Sequence, residues 1–81
     1  MGERLMSKVR YRVLGFENAE NFSMKPDRDT LVLSEVFSDV EEAYNLFYER
    51  KDIYHREVEV GELVDGKFVA KATEGITGHV G

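Results

Sequence analysis

Residues 30–52 read TLVLSEVFSDVEEAYNLFYERKD, and a change of hydrophobic period inside this stretch decides the fold. Thr30 to Phe37 is rich in β-branched and aromatic residues and nearly continuous in apolar character, which predicts a deeply buried strand. Ser38 then opens Ser-Asp-Val-Glu, a capping box in which the serine hydroxyl accepts from the backbone N–H of Glu41 while the Glu41 carboxylate reaches back. Val40, Ala43, Tyr44 and Phe47 follow at i, i+3, i+4 and i+7, with Leu46 beside them. A helix is therefore expected from Asp39 to about Asp52, with that stripe facing a sheet. Asp39, Glu41 and Glu42 near its start and Arg50 and Lys51 near its end suit the helix dipole, each by about 0.3–1 kcal/mol.

Upstream of this unit, Lys8 to Phe16 alternates, placing Val9, Tyr11 and Val13 on one face and Lys8, Arg10 and Arg12 on the other, the mark of a half-buried strand. Glu17 to Asp29 is polar, holds the only proline, Pro26, and has neither the helical nor the strand period, so it is read as the longest loop. Downstream, Glu57 to Val60 alternates again, and Asp65-Gly66 favours a type I′ hairpin turn into a return strand from Lys67 to Thr73. A two-residue turn there would set Val60 opposite Lys71. An extra residue at Gly61 or Glu62 is expected to correct this and bring Val58, Val60 and Leu63 onto the face of Phe68, Ala70 and Ala72. The order ββαββ predicts an α+β fold: a four-stranded antiparallel sheet with one helix packed on one face and the other face uncovered. Met6-Ser7-Lys8 has the form of a second translation start. Residues 1–7 are read as a flexible extension, 8–73 as a single domain, and the glycine-rich 74–81 as a flexible tail.

The 81 residues suffice for one core, burying about 60–65% of the surface that the unfolded chain exposes. With 42% apolar residues, five Phe and four Tyr, that core can form without covalent help, at a stability of about 3–6 kcal/mol. The chain has no cysteine, which excludes disulfides, thiolate zinc sites and a cysteine nucleophile, and favours a cytoplasmic setting. No apolar run approaches the roughly 18 residues of a membrane span. Eleven basic and sixteen acidic side chains give a net charge of -5, which repels phosphate backbones at long range. The charge is unevenly spread: residues 1–16 carry four basic side chains and one acidic, whereas 31–50 carry one basic and five acidic.

The sharpest catalytic or metal candidate is His55 with Glu57 and Glu59, which a strand sets on one face. Side chains about 6.6 Å apart along a strand rarely converge on one ion, so a solvated strand face is the simpler reading. His79 lies in the expected tail, and no serine sits in a nucleophile motif. Asp27-Arg28-Asp29 lacks the glycine and distal glutamate of a calcium loop, and Gly61, Gly66 and Gly75 have no phosphate-binding spacing. No catalytic residue, metal site or cofactor is expected, and the chain is not expected to be an enzyme.

Two binding surfaces remain. Lys8, Arg10 and Arg12, with Phe16 nearby, form a basic stripe that suits weak nucleic-acid binding, although cross-strand pairing with Glu57 or Glu59 would consume it. Phe22 and Met24 in the long loop, with Glu42 and Glu49 on the outer helix, suit a protein partner, and an exposed edge strand offers sheet augmentation or a homodimer. Residues 36–44, Val-Phe-Ser-Asp-Val-Glu-Glu-Ala-Tyr, with hairpins on both sides, resemble small orphan proteins common in tailed-phage and bacterial genomes. The resemblance implies a context in which such proteins bind and modulate a host protein. The expected function is thus a non-catalytic protein-interaction module, with nucleic-acid binding through the first strand as the alternative.

Overall fold

The computed structural model describes residues 8–19 and 25–76. Its elements are β1 (Val9–Phe16), a 3₁₀ turn (Arg28–Thr30), β2 (Leu31–Phe37), α1 (Val40–Glu49), β3 (His55–Val64) and β4 (Lys67–Ile76). The strands form one antiparallel sheet in the order β2-β1-β3-β4, and the chain is the α+β fold that its ββαββ order predicts. Because β1 lies between β2 and β3, the connection through α1 must cross over β1, and this lays the helix on one face of the sheet. Among the described residues, no helix is long and apolar enough to cross a membrane.

Cross-strand pairs define that face. Tyr11, Val13 and Gly15 of β1 stand opposite Phe37, Glu35 and Leu33 of β2 on one side and Val60, Val58 and Arg56 of β3 on the other. Val13, Leu33 and Val58 meet Ala43 and Phe47 of α1 and Ile53 of the following turn, with Tyr11, Phe37, Tyr44 and Leu46 at the margin of this core. The expected helical stripe thus packs as its spacing requires, except that Val40 remains partly exposed. Two glycines let layers approach: a Cβ on Gly15 would lie 3.0 Å from Ile53 Cγ2, and one on Gly75 would lie 2.9 Å from the Tyr44 hydroxyl. Tyr44 donates to Glu74 Oε1 at 3.3 Å, and burial first, then this carboxylate, pushes its phenol pKa up.

The helix differs from expectation at both ends. Asp39, not Ser38, is the N-cap, its carboxylate accepting from the Glu41 N–H at 2.9 Å; it sits two residues before that donor with extended backbone. At the other end α1 stops at Glu49, with the Arg50 N–H bonded to Leu46 O, and Arg50 leaves the helix to chelate Asp52. The positive charge at the helix C-terminus comes instead from Arg56. Its guanidinium donates to Phe47 O and lies 5.2 Å from the centre of the Phe47 ring, with burial lowering its pKa.

Three further expectations are corrected. β2 is an edge strand, not a deeply buried one: only Leu33 is buried, while Leu31, Val32 and Val36 are about half exposed. The β3–β4 irregularities fall on β4, at Lys71 and Glu74, because β3 must keep unbroken register with β1 on its other side. Val58 and Val60 therefore face α1, whereas Leu63 pairs with Phe68 on the opposite face. Finally, β4 continues to Ile76, so residues 74–76 belong to the sheet and not to a tail. The turn itself is as expected, with Asp65 at φ 53° and Gly66 at φ 79° and Val64 opposite Lys67.

At Gly61 an added Cβ would fall 2.1 Å from Val69 O and 2.9 Å from Ala70 Cα, both backbone atoms that cannot yield without breaking β3–β4 pairing. Gly61→Ala is expected to lose about 1–3 kcal/mol of stability. Urea denaturation measures this, and a midpoint equal to that of the parent protein would contradict the packing described.

Candidate functional site: an open edge and the cleft at its end

The sheet face away from α1 carries Arg12, Leu14 and Phe16 of β1 beside Glu59, Glu57 and His55 of β3. It is not the plain basic stripe that alternation suggests. Arg12 donates from Nε to Glu59 Oε1 at 2.9 Å, and its guanidinium lies 4.6 Å from the centre of the Phe68 ring. Arg28, carried by the 3₁₀ turn, donates to Glu57 Oε2 at 2.9 Å, approaches Glu59 at 3.8 Å and covers the Phe16 ring at 4.6 Å. Both carboxylates are buried beneath these cations, and Leu14 and Phe16 are buried with them. The neck of the long loop is closed by Glu17 N–H to Thr30 O and Asp27 N–H to Asn18 O, which holds Arg28 over β3.

This network decides the fate of several candidates. The cross-strand pairing of Arg12 with Glu59 occurs, and Arg10 turns its Nη1 to the Val9 carbonyl at 3.0 Å. Lys8 is exposed just before β1. His55, Glu57 and Glu59 do share a face, but the two glutamates are directed to arginines. His55 stacks edge-on with Tyr54 at 4.9 Å. Among the described residues, no three His, Asp or Glu side chains are grouped to hold a metal. Phe22 and Met24 lie outside the described residues. Glu42 and Glu49 are exposed on α1.

What sequence reasoning missed is the asymmetry of the two sheet edges. β4 is broken by two bulges and carries Lys67, Lys71 and Glu74, with Lys71 reaching Glu62 at 3.9 Å. Bulges and charges of this kind prevent a further strand from adding. β2 has one irregularity, where Val32 is the extra residue, and from Leu33 to Phe37 it pairs regularly with β1. Its single charge is Glu35. Among the described residues no strand pairs with its outer edge.

At the start of β2 the edge meets a cleft of about 390 Å³ lined by Phe16, Glu17, Val32, Arg50, Asp52, Ile53 and Tyr54. Arg50 and Asp52 form a bidentate pair at its rim, with both bonds at 2.9 Å. This hydrogen bonding holds the Asp52 carboxyl below the usual aspartate pKa and raises that of Arg50, to which Glu49 and Glu35 also contribute. The chain matches no protein family, no curated protein and no solved structure.

Two outcomes follow from this geometry. Arg28→Ala leaves Glu57 buried without its cation. Because Arg28 itself is half exposed, the expected loss is about 1–3 kcal/mol, read from chemical denaturation, and a change near zero would show the network to be energetically idle. For Asp52 the folded pKa is depressed, so its contribution to stability is present above the usual aspartate pKa and lost as pH falls through the lower folded value. Carboxyl NMR titration should find Asp52 titrating low, and returning to the ordinary range in Arg50→Gln; an unaltered midpoint would disprove the pairing.

Proposed function

We propose that the protein is a non-catalytic interaction module that takes an extended segment of a partner protein along the outer edge of β2. The observation that carries this reading is the contrast between a β4 edge blunted by bulges and lysines and a β2 edge left regular and apolar. Exposed Leu31, Val32 and Val36 flank the edge, and a strand laid along it would remove part of their apolar surface from water. Binding by strand addition draws affinity from main-chain hydrogen bonds and selectivity from the side chains that alternate above and below the sheet.

Magnitudes support a two-part site. Five regular residues, Leu33 to Phe37, present roughly two or three outward N–H and C=O sets, and each hydrogen bond is worth about 0.5–1.5 kcal/mol net. Association costs about 4–15 kcal/mol, so backbone pairing alone gives weak binding. A large apolar side chain buried in an adjoining cleft adds about 1.5–3 kcal/mol. The cleft reached at Val32 is placed to supply that increment. A module of this kind acts by covering its partner's surface, which suits the host-modulating context that residues 36–44 suggest.

Peptides selected from a random display library should perturb the amide NMR signals of residues 31–37 most strongly and gain exchange protection there. Val32→Lys with Val36→Lys, both at exposed positions, should abolish the effect while leaving the fold intact. Perturbations centred on Lys8, Arg10 and Arg12, and produced by oligonucleotides, would instead establish the nucleic-acid reading.

A further inference from the structure

Residues 31–49, which comprise β2 and the whole of α1, contain Glu35, Asp39, Glu41, Glu42 and Glu49 and not one Lys or Arg. The other residues of the chain hold eleven basic and eleven acidic side chains, so this segment accounts for the whole net charge of -5. The fold gathers these acids on one side. Glu35 lies on β2, on the sheet face that α1 covers, and Asp39, Glu41 and Glu42 stand exposed where β2 turns into the helix. At the far end of the helix, Glu49 is close enough, with Glu35 and Asp52, to act on Arg50 at the rim of the cleft. On the α1 side the open edge is thus bordered by negative charge, with Arg50 held by Asp52, while on the other face the arginines beside it, Arg12 and Arg28, are paired with Glu59 and Glu57.

Resting on the interaction reading above, we infer that the occupant of the β2 edge is a basic, extended peptide segment running antiparallel to β2, with a large apolar side chain at its C-terminal end seated in the cleft beside Val32. Charge complementarity selects the basic character, since residues 31–49 offer a cationic segment five carboxylates and no competing cation, and the arginines on the other face already have carboxylate partners. A second copy of this chain would bring a second acidic β2–α1 unit against the first, and like charges across a shared edge oppose pairing. Direction follows from the position of the cleft. An antiparallel strand laid from Phe37 towards Leu31 ends at Val32, so its last side chains arrive at Phe16, Ile53 and Tyr54. Antiparallel pairing is also the more favourable arrangement per residue.

The test uses the full chain and four synthetic peptides of one length. The first alternates lysine with valine and ends in phenylalanine; the second replaces lysine with glutamate; the third replaces the terminal phenylalanine with alanine; the fourth reverses the first. Calorimetry at low salt is expected to give the first peptide at least about tenfold tighter binding than any of the other three, weakening as salt is added. Tyr54→Ala and Val32→Lys should each cost it about tenfold, with the melting temperature checked to confirm folding. Equal binding of the lysine and glutamate peptides, both protecting β2 amides, would overturn the basic partner and leave the edge reading standing. Equal binding of the forward and reversed peptides would overturn the orientation. A dimer in sedimentation that Val36→Lys dissolves would make the occupant a second copy. Binding of no peptide, or shifts confined to the Arg12 and Arg28 face, would remove the edge reading itself.

Discussion

The structure depends on a single connection, the passage of the chain from β2 to β3 over the top of β1. Since β1 already lies between those strands, the linking segment has to cross it, and only a helix of about three turns with one apolar stripe satisfies its own backbone while doing so. From this follow the small residues beneath it, the burial of Phe47 between the layers, and the placing of Arg56 under the last helical carbonyls. It follows equally that β2, on the outer side of β1, has nothing beyond it among the described residues.

The opposite face is closed by different means. With a single helix available, the sheet shelters Leu14 and Phe16 under guanidinium groups, and those guanidinium groups are held by two buried glutamates. Burying carboxylates is costly unless each is paired and hydrogen-bonded, and here each has an arginine. Arg28 thereby ties the 3₁₀ turn before β2 to the third strand, so a single short turn helps to fix one face of the domain. The same pairing engages Arg12, one of β1's two arginines.

Much of the fold was legible in the sequence because it is written in local periods. The alternation of β1, the stripe of α1 and the Asp65-Gly66 turn each predict one element, and each element exists. The errors arise where a neighbour in space decides. A continuous apolar run from Thr30 to Phe37 satisfies either burial or docking, and strand order, which periodicity does not contain, makes it an edge. The bulge was expected on β3 from hairpin matching alone, but pairing with β1 holds β3 straight and transfers the adjustment to β4. Ser38 and Asp39 are both good caps, and one residue of spacing chooses between them. Of the candidate surface, the acidity of Glu42 and Glu49 was readable, as was the chance that Arg12 would pair with Glu59. The pairing of Arg28 with Glu57, 29 residues apart, and the cleft joining Val32 to Tyr54 exist only once the chain is folded.

The hairpin of β3 and β4, with Lys67 and Lys71 on its far strand, lies at the other end of the sheet from acidic β2. That hairpin is itself net -2, with three basic and five acidic side chains over residues 55–76, so the charge is negative at both ends and densest in residues 31–49, which hold five acids and no base. For the basic segment inferred above, such an uneven field would turn the two bodies before they touch and raise the fraction of collisions that arrive edge first. On that proposal, recognition would begin several ångströms from the surface, in the orientation of the encounter, before any hydrogen bond has formed.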